Sequence, residues 1–377
     1  MNADLSLVFS YRDREVDRVK RCLDSLSTQT DANFKVIFVD YGSNDQFRKE
    51  IESLVNSYDF CEYIYSHTYQ QFWNRSKALN IGIQLVDTPY YATTDIDLIF
   101  EPNFIEVMRS EMGPDKFVHG HALFLEEGFS DYKNLDKLNK SNLDQSKAGV
   151  QYGLFQLVPT KVIRQLDGFD EFFRIWGLED VDLNKRLLAL GLKENWIDPL
   201  KTHAWHQWHP HIGDPLFTRD WYRFMEDYFF RQTSSKRNNG NWGQTKGEQE
   251  RKVLNLKSDE ATVQIERDFP SKTSALYEYH ILEQVFDELS AGEVLSVKFN
   301  DKASDISFFE KLRNSLVHRI GVDLKVDIDK YYQKRTDFID ACRGLVWLIA
   351  KKENQGTIAD YCFYREGRSF YVKLERR

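Results

Sequence analysis

The chain has 377 residues, 41% of them hydrophobic, which is enough for two domains or for one large domain with an appendage. A net charge of -8 and a pI of about 5.7 exclude a general attraction to nucleic acid or anionic lipid. Four widely spaced cysteines fit neither a zinc site nor a disulfide framework, and no leader or bilayer-spanning run is found, so the expected compartment is the cytoplasm, at most peripheral at the inner membrane face.

Leu5 to Phe9 predicts a short apolar strand, followed by the polar loop Ser10 to Arg14. Val16, Val19, Leu23 and Leu26 recur at helical spacing. Phe34 to Val39 predicts a second strand that ends at Asp40, with a turn over Tyr41 to Asp45. A helix over roughly Gln46 to Tyr58, a strand over Glu62 to Tyr65 and a helix over Asn74 to Leu85 come next. The apolar approach Pro89 to Ala92 runs into Thr93 to Phe100, and the stretch reads as a buried strand that stops at an acidic edge. Its Asp95 and Asp97 are expected on one face, because strand side chains alternate with period two. Two carboxylates held together repel, burial adds to the cost, and a divalent cation relieves both. The competing reading is a surface strand end with two solvated aspartates.

This alternation of strand and helix predicts a mostly parallel sheet with helices on both faces. Ligands of such sheets sit beyond the carboxyl ends of the strands. Arg12, Arg14, Asp40, Asp95 and Asp97 all fall there.

Glu126 to Lys147 is polar and reads as a surface excursion, either a plain solvated loop or a lid. Gly153 to Val158 predicts a strand, Pro159 starts a helix, and Gly168-Phe169-Asp170 turns the chain. Leu183, Leu187 and Leu190 predict a helix capped by Gly191, which puts Glu179 and Asp180 at its N-terminus. Helix capping alone would favour acids there. Thr202 to His211 holds four of the nine histidines. As a strand it would point His203 and His209 one way and His206 the other; the density of imidazoles suggests a metal ligand. The Ser-, Asn- and Gly-rich stretch from Gln232 to Glu250 reads as a domain boundary, giving domains over 1–240 and 250–377. Beyond it come a strand over Glu293 to Phe299, a helix over Ile306 to Ile320 and a strand over Asp323 to Ile328. A helix over Phe338 to Lys351 and a hairpin turning at Glu366-Gly367 complete a small α/β unit.

Four stretches occur in an order that resembles the signature blocks of GT-A fold glycosyltransferases. They are Phe9 to Arg14, Trp73 to Asn80, Asp95 to Ile99 and Trp176 to Asp182. The resemblance is to the β-1,4-galactosyltransferase and bacterial chondroitin-polymerase type, family 2-like, over roughly the first 220 residues. It implies a GT-A fold, a Rossmann-like, mostly parallel sheet with helices on both faces, followed by the small C-terminal α/β domain. It further implies that Arg12, Arg14 and Arg75 surround a nucleotide and that Asp40 binds uridine. Asp97 would ligate the metal, with Asp95 and the intervening Ile96 nearer the sugar and ribose. His206 resembles the histidine that completes the metal site, with His203 and His209 as alternatives. Asp180 matches the catalytic base and Glu179 a substrate contact. The sequence departs from the family at Leu178, where a second glycine is common.

The activity so implied is an inverting transfer from a UDP-sugar of the galactose, N-acetylgalactosamine or glucose type to a carbohydrate, in bacterial surface polysaccharide synthesis. Manganese or magnesium is the expected cofactor, since a carboxylate, an imidazole and open positions for phosphate suit them better than structural zinc. The C-terminal unit is assigned acceptor docking or self-association as a homo-oligomer. A sugar nucleotidyltransferase would need a glycine-rich phosphate loop, and Ser10 to Arg14 has no glycine. A non-catalytic carbohydrate-binding protein is the third reading; the intact acidic and histidine blocks argue against it.

Overall fold

A computed structural model describes residues 3–138, 152–210, 225–226, 228–238, 240–248, 260–269, 271, 275–302 and 338–377. The chain divides near residue 250 into two compact units.

The first unit is built on a seven-stranded sheet of order β3-β2-β1-β4-β8-β6-β9. Its strands are β1 (Leu5–Tyr11), β2 (Phe34–Asp40), β3 (Cys61–Tyr65), β4 (Tyr90–Thr94), β6 (Lys116–His119), β8 (Phe155–Pro159) and β9 (Lys193–Trp196). The strands β3, β2, β1 and β4 run parallel, β8 is antiparallel to β4 and β6, and β6 is parallel to β9. Apolar runs such as Leu5 to Phe9 are buried on both faces, as a helix-covered sheet requires. Leu5, Leu7 and Phe9 pack with α1 (Val16–Ser27) and α4 (Phe104–Ser110). Val8 and Ile37 pack the other way, with α3 (Arg75–Leu85), α5 (Thr160–Gln165) and α6 (Glu179–Ala189). The helix α2 (Asp45–Val55) completes the expected alternation.

A three-stranded sheet, β5-β10-β7, forms separately from β5 (Leu98–Phe100), β7 (Ala122–Phe124) and β10 (Ala204–His206). This corrects the expectation that Asp95 and Asp97 share one face of a strand. The strand β4 ends at Thr94, Asp95 leaves the ladder, and Ile96 and Asp97 make a turn. The physical reason is that β4 belongs to one sheet and β5 to another, so the chain must turn between them. Asp95 and Asp97 are therefore not alternate positions on one strand face. Ile96 packs into the core at 7% exposure, so its side chain is not free to contact a cofactor.

The second unit has a four-stranded sheet of order β11-β12-β14-β13, from β11 (Val263–Phe269), β12 (Val294–Asp301), β13 (Ile358–Glu366) and β14 (Ser369–Arg376). Its helices are α7 (Ala275–Glu288) and α8 (Phe338–Asn354). The strand β11 and helix α7 lie where no element was expected. The helix expected over Ile306 to Ile320, the strand over Asp323 to Ile328 and much of the 126–147 excursion lie outside the described residues.

Within the polar stretch expected to mark the domain boundary, several residues are built into the first unit. Asn238 donates to the carbonyls of Asp167 and Phe169 and accepts from the Glu171 N–H. Trp242 is buried against the second face of the sheet. Arg237 is buried with Nη2 3.0 Å from Asp182, which also bonds Arg186 at 2.7 Å. Removing one partner from such a buried network leaves charge uncompensated. Arg237→Met is expected to destabilise the first unit by about 3 kcal/mol, read as a lower urea midpoint with an unchanged slope. A cost below about 0.5 kcal/mol, the level of an ordinary surface change, would show that this segment does not anchor the unit.

Candidate active site

The site lies at the carboxyl edge of the main sheet, where strand ends deliver polar side chains. Two clusters form there, on either side of the turn at Ile96-Asp97.

In the first, Arg75 is the hub. Asn74 caps α3 by accepting from the Lys77 N–H, which sets Arg75 in the first turn. One Arg75 nitrogen, Nη2, bonds Asp95 Oδ1 at 2.9 Å and the Gly153 carbonyl at 2.9 Å; Nη1 lies 3.3 Å from Glu179. Burial works against the guanidinium charge, but Asp95, Glu179 and Asp180 outweigh it and raise its pKa. The carboxylates outnumber the arginine and are poorly solvated. Burial, then Asp180, pushes Glu179 up to about 7 against the pull of Arg75. Asp95 is raised by burial and Asp97 despite Arg75, and Asp180 is raised by burial.

Asp180 is packed against Gly153. A Cβ on that glycine would meet Asp180 Oδ2 at 2.5 Å, and its φ of +87° is one that side-chain-bearing residues rarely adopt. The helix start beside it is also unusual. Ile175 and Leu178 hold φ of 70° and 76°. Leu178, which stands where the resemblance expects glycine, thus keeps a glycine-like backbone. Asp182, the last residue of the Trp176 to Asp182 block, is buried and tied to Arg186 and Arg237. It is a structural residue.

In the second cluster, β10 pairs with β5 so that His206 lies opposite Leu98, and the Gln207 N–H donates to the Asp97 carbonyl at 2.9 Å. The chain leaves the strand after His206, so the alternation expected through His209 does not hold. His209 comes round to place Nε2 3.1 Å from Asp97 Oδ2, while His206 Nε2 is 3.6 Å from Oδ1. Asp97, His206 and His209 each offer a ligand atom, all within 4.8 Å of one another. Asp97 Oδ1 is buried without a hydrogen-bond partner, which suits a cation ligand. Burial would raise the Asp97 pKa, but His206 and His209 prevail and hold it at about 2. His203 is not in this group; its Nδ1 faces the Pro199 carbonyl and Glu101 at the far end of β10.

The other expected nucleotide contacts are placed differently. Arg12 donates to the backbone carbonyls of Tyr41, Thr68 and Gln71, so it braces two loops. Asp40 is fully buried, with Ser43 N–H and Tyr63 hydroxyl on its two oxygens. Both are engaged by groups of the protein itself. Arg14 does lie by the second cluster, and burial together with the nearby Arg18 charge lowers its pKa against the pull of Asp97. Arg18 was missed from sequence, although Arg14, Arg18 and Arg21 stand at helical spacing. It is buried with Nη1 unpartnered, and its carbonyl receives Gln207 of the histidine loop.

Residues 7–166 match the family model for glycosyl transferase family 2, and residues 142–210 match one described as the N-terminal domain of galactosyltransferase. The first unit carries a family 2-type glycosyltransferase domain. Both clusters fall inside these matches, and the topology is of the GT-A kind. A teichoic acid poly(glycerol phosphate) polymerase from Staphylococcus epidermidis is 29% identical over 93 residues, which is 25% of this chain and 12% of that protein. The crystal structure of S. aureus TarS 1-349 overlaps with a TM-score of 0.40 at 15% identity, covering 55% of this chain and 60% of that one. The mannosyltransferase PcManGT from Pyrobaculum calidifontis, in complex with GDP-Man and Mn2+, overlaps at 0.41 and 13% identity, covering 56% and 59%. This chain thus spans a small part of the polymerase and about three fifths of the two structures.

The raised carboxylates of the glycosyltransferase domain have a measurable consequence. A carboxyl whose folded pKa lies above its unfolded value stabilises the fold below the unfolded pKa and loses that contribution as pH rises through the folded one. For Glu179 the window runs from 4.5 to about 7. Relative to Glu179→Gln, the wild type is expected to lose stability across that window, read by urea unfolding at stepped pH. A flat difference would mean that Arg75 fully compensates Glu179.

Proposed function

We propose that the chain transfers a sugar from a UDP-sugar to a carbohydrate acceptor with inversion, aided by a divalent cation. The observation that carries the proposal is the convergence of Asp97, His206 and His209 one turn away from the Arg75-braced acids. A carboxylate and two imidazoles fit a cation that also accepts phosphate oxygens, and the second imidazole favours manganese over magnesium. Bound there, such a cation would supply Lewis-acid stabilisation of the departing diphosphate. Arg14 lies near enough to Asp97 to add positive charge on the same side.

Asp180 is the proposed base. It faces the site from α6, and burial raises its pKa, which strengthens it as a proton acceptor for a hydroxyl. Glu179 and Asp95 position Arg75, and Arg75 in turn limits the repulsion around Asp180. Trp176, 58% exposed just before α6, offers a ring face to a sugar. Inversion follows from a single displacement with a base on one side and the leaving group on the other.

The donor sugar type, a role in bacterial surface polysaccharide synthesis and a place in the cytoplasm at the inner membrane face belong to the same proposal. No helix among the described residues is long and apolar enough to cross a membrane. The second unit contributes no described metal-type cluster; we assign it acceptor docking or self-association. The nucleotidyltransferase reading gains nothing from the geometry, because Arg12, the first basic residue after β1, is spent on backbone carbonyls.

Two substitutions test the division of labour. Asp97→Ala is expected to abolish turnover and manganese-dependent UDP binding by calorimetry; normal turnover at saturating donor would refute the cation assignment. Asp180→Asn is expected to lower kcat about 100-fold or more, as for loss of general-base help, while UDP affinity holds. Full rate with a lowered melting temperature would make Asp180 a structural residue.

A further inference from the structure

The half of the sheet edge beyond Asp95 carries a second group of side chains that donor binding does not use. Because β8 is antiparallel to both β4 and β6, β6 ends on the same edge as β4. There β6 and β9 run parallel with His119 opposite Trp196. The two rings stack, with centroids 4.3 Å apart and planes at 21°. Tyr152 lies 5.5 Å from each, and His121 lies 4.9 Å from Trp196.

Polar atoms beneath these rings are left wanting. His119 is fully buried, and its ring nitrogens make no well-formed hydrogen bond, although the Phe155 carbonyl is close enough to favour the protonated ring. Its Nε2 is 3.3 Å from Glu194 Oε1, a buried oxygen that also lacks a hydrogen bond. Burial, and then the neighbouring His121, lowers the His119 pKa to about 3, so the pair is not an ion pair at neutral pH. Native structures rarely leave such atoms unmatched. Tyr152, Glu194, Trp196 and His121 keep partial exposure. The group adjoins the proposed base, for Tyr152 precedes Gly153, on which Asp180 packs, and it feels the Asp180 charge.

We propose that this wall is the acceptor subsite and that it takes an uncharged pyranose ring. The proposal rests on reading Asp180 as the base. The partly exposed rings of Tyr152, Trp196 and His121 present apolar faces to the C–H side of a sugar, Glu194 accepts from its hydroxyls, and the buried His119 backs Trp196. Charge argues against a phosphate-bearing acceptor at this position. Tyr152 feels the charges of both Glu194 and Asp180, so the wall is negative, and Arg75 is already bonded to Asp95, Glu179 and Gly153.

Saturation-transfer NMR on the full chain tests this. The probes are methyl β-glucopyranoside, methyl β-galactopyranoside and methyl N-acetyl-β-glucosaminide, with glycerol phosphate as the anionic counterpart. At least one pyranoside is expected to show transfer, and glycerol phosphate none. Trp196→Leu and the nearly isosteric Glu194→Gln are each expected to weaken pyranoside affinity about 10-fold, the scale of losing one buried contact. Asp97→Ala, which removes donor binding, is expected to keep the pyranoside signal, so failure of the donor reading and failure of the wall are separable. Absence of transfer from every pyranoside to the wild type would overturn the proposal. So would an undiminished signal in Glu194→Gln with wild-type melting, or a preference for glycerol phosphate.

Discussion

The site depends on one guanidinium. Arg75 draws together Asp95 from the end of β4, Glu179 from the start of α6 and the Gly153 carbonyl from the approach to β8. Without a cation at that point, three carboxylates would meet in a partly desolvated space, and their mutual repulsion would separate the elements that carry them. One positive charge does not neutralise three negative ones. The remaining imbalance raises the pKa values of Asp95, Glu179 and Asp180. The feature that assembles the site therefore also leaves its carboxylates more basic than ordinary ones.

The switch between sheets divides the acidic stretch. Had β4 continued through Asp97, both aspartates would face the same partners and compete for them. Because the chain turns after Thr94, Asp95 goes to Arg75 and Asp97 goes to two histidines brought in by β10. The electrostatics follow the partners. Asp95 is pushed up and Asp97 is held down, although they are two residues apart. That contrast suits one carboxylate to hold a cation and the other to brace the hub.

Much of the sheet was legible in the sequence, because helix-covered parallel strands are continuous apolar runs and their helices repeat every three to four residues. The limits of that logic show at short elements. A period of two cannot reveal that a strand stops and its neighbour joins another sheet, and β10 is only three residues long, too short to constrain His209. Arg12 and Asp40 sit at strand ends as expected, yet position alone does not say that Arg12 is consumed by carbonyls or Asp40 by Tyr63 and Ser43. Composition at 232–250 marks the neighbourhood where the two units divide but does not show that Asn238, Arg237 and Trp242 are tied into the first of them. The alternation in Val263 to Phe269 was a missed strand signal.

The approach to α6 shows how such a site is kept in place. Ile175 and Leu178 are not glycines, yet both occupy the left-handed region, at a cost on the order of 1–3 kcal/mol each. A backbone under that strain would relax unless held on both sides. Upstream, the Ile175 N–H is fixed to the Trp73 carbonyl, next to the Asn74 cap that sets Arg75. Downstream, Asp182 is locked by Arg186 and Arg237 within the first turns of the helix. Between these anchors lie Glu179 and Asp180, and the geometry turns them towards Arg75 and Gly153. The segment that reads as a domain boundary thus reaches the candidate site through Arg237, by holding the helix that carries Asp180.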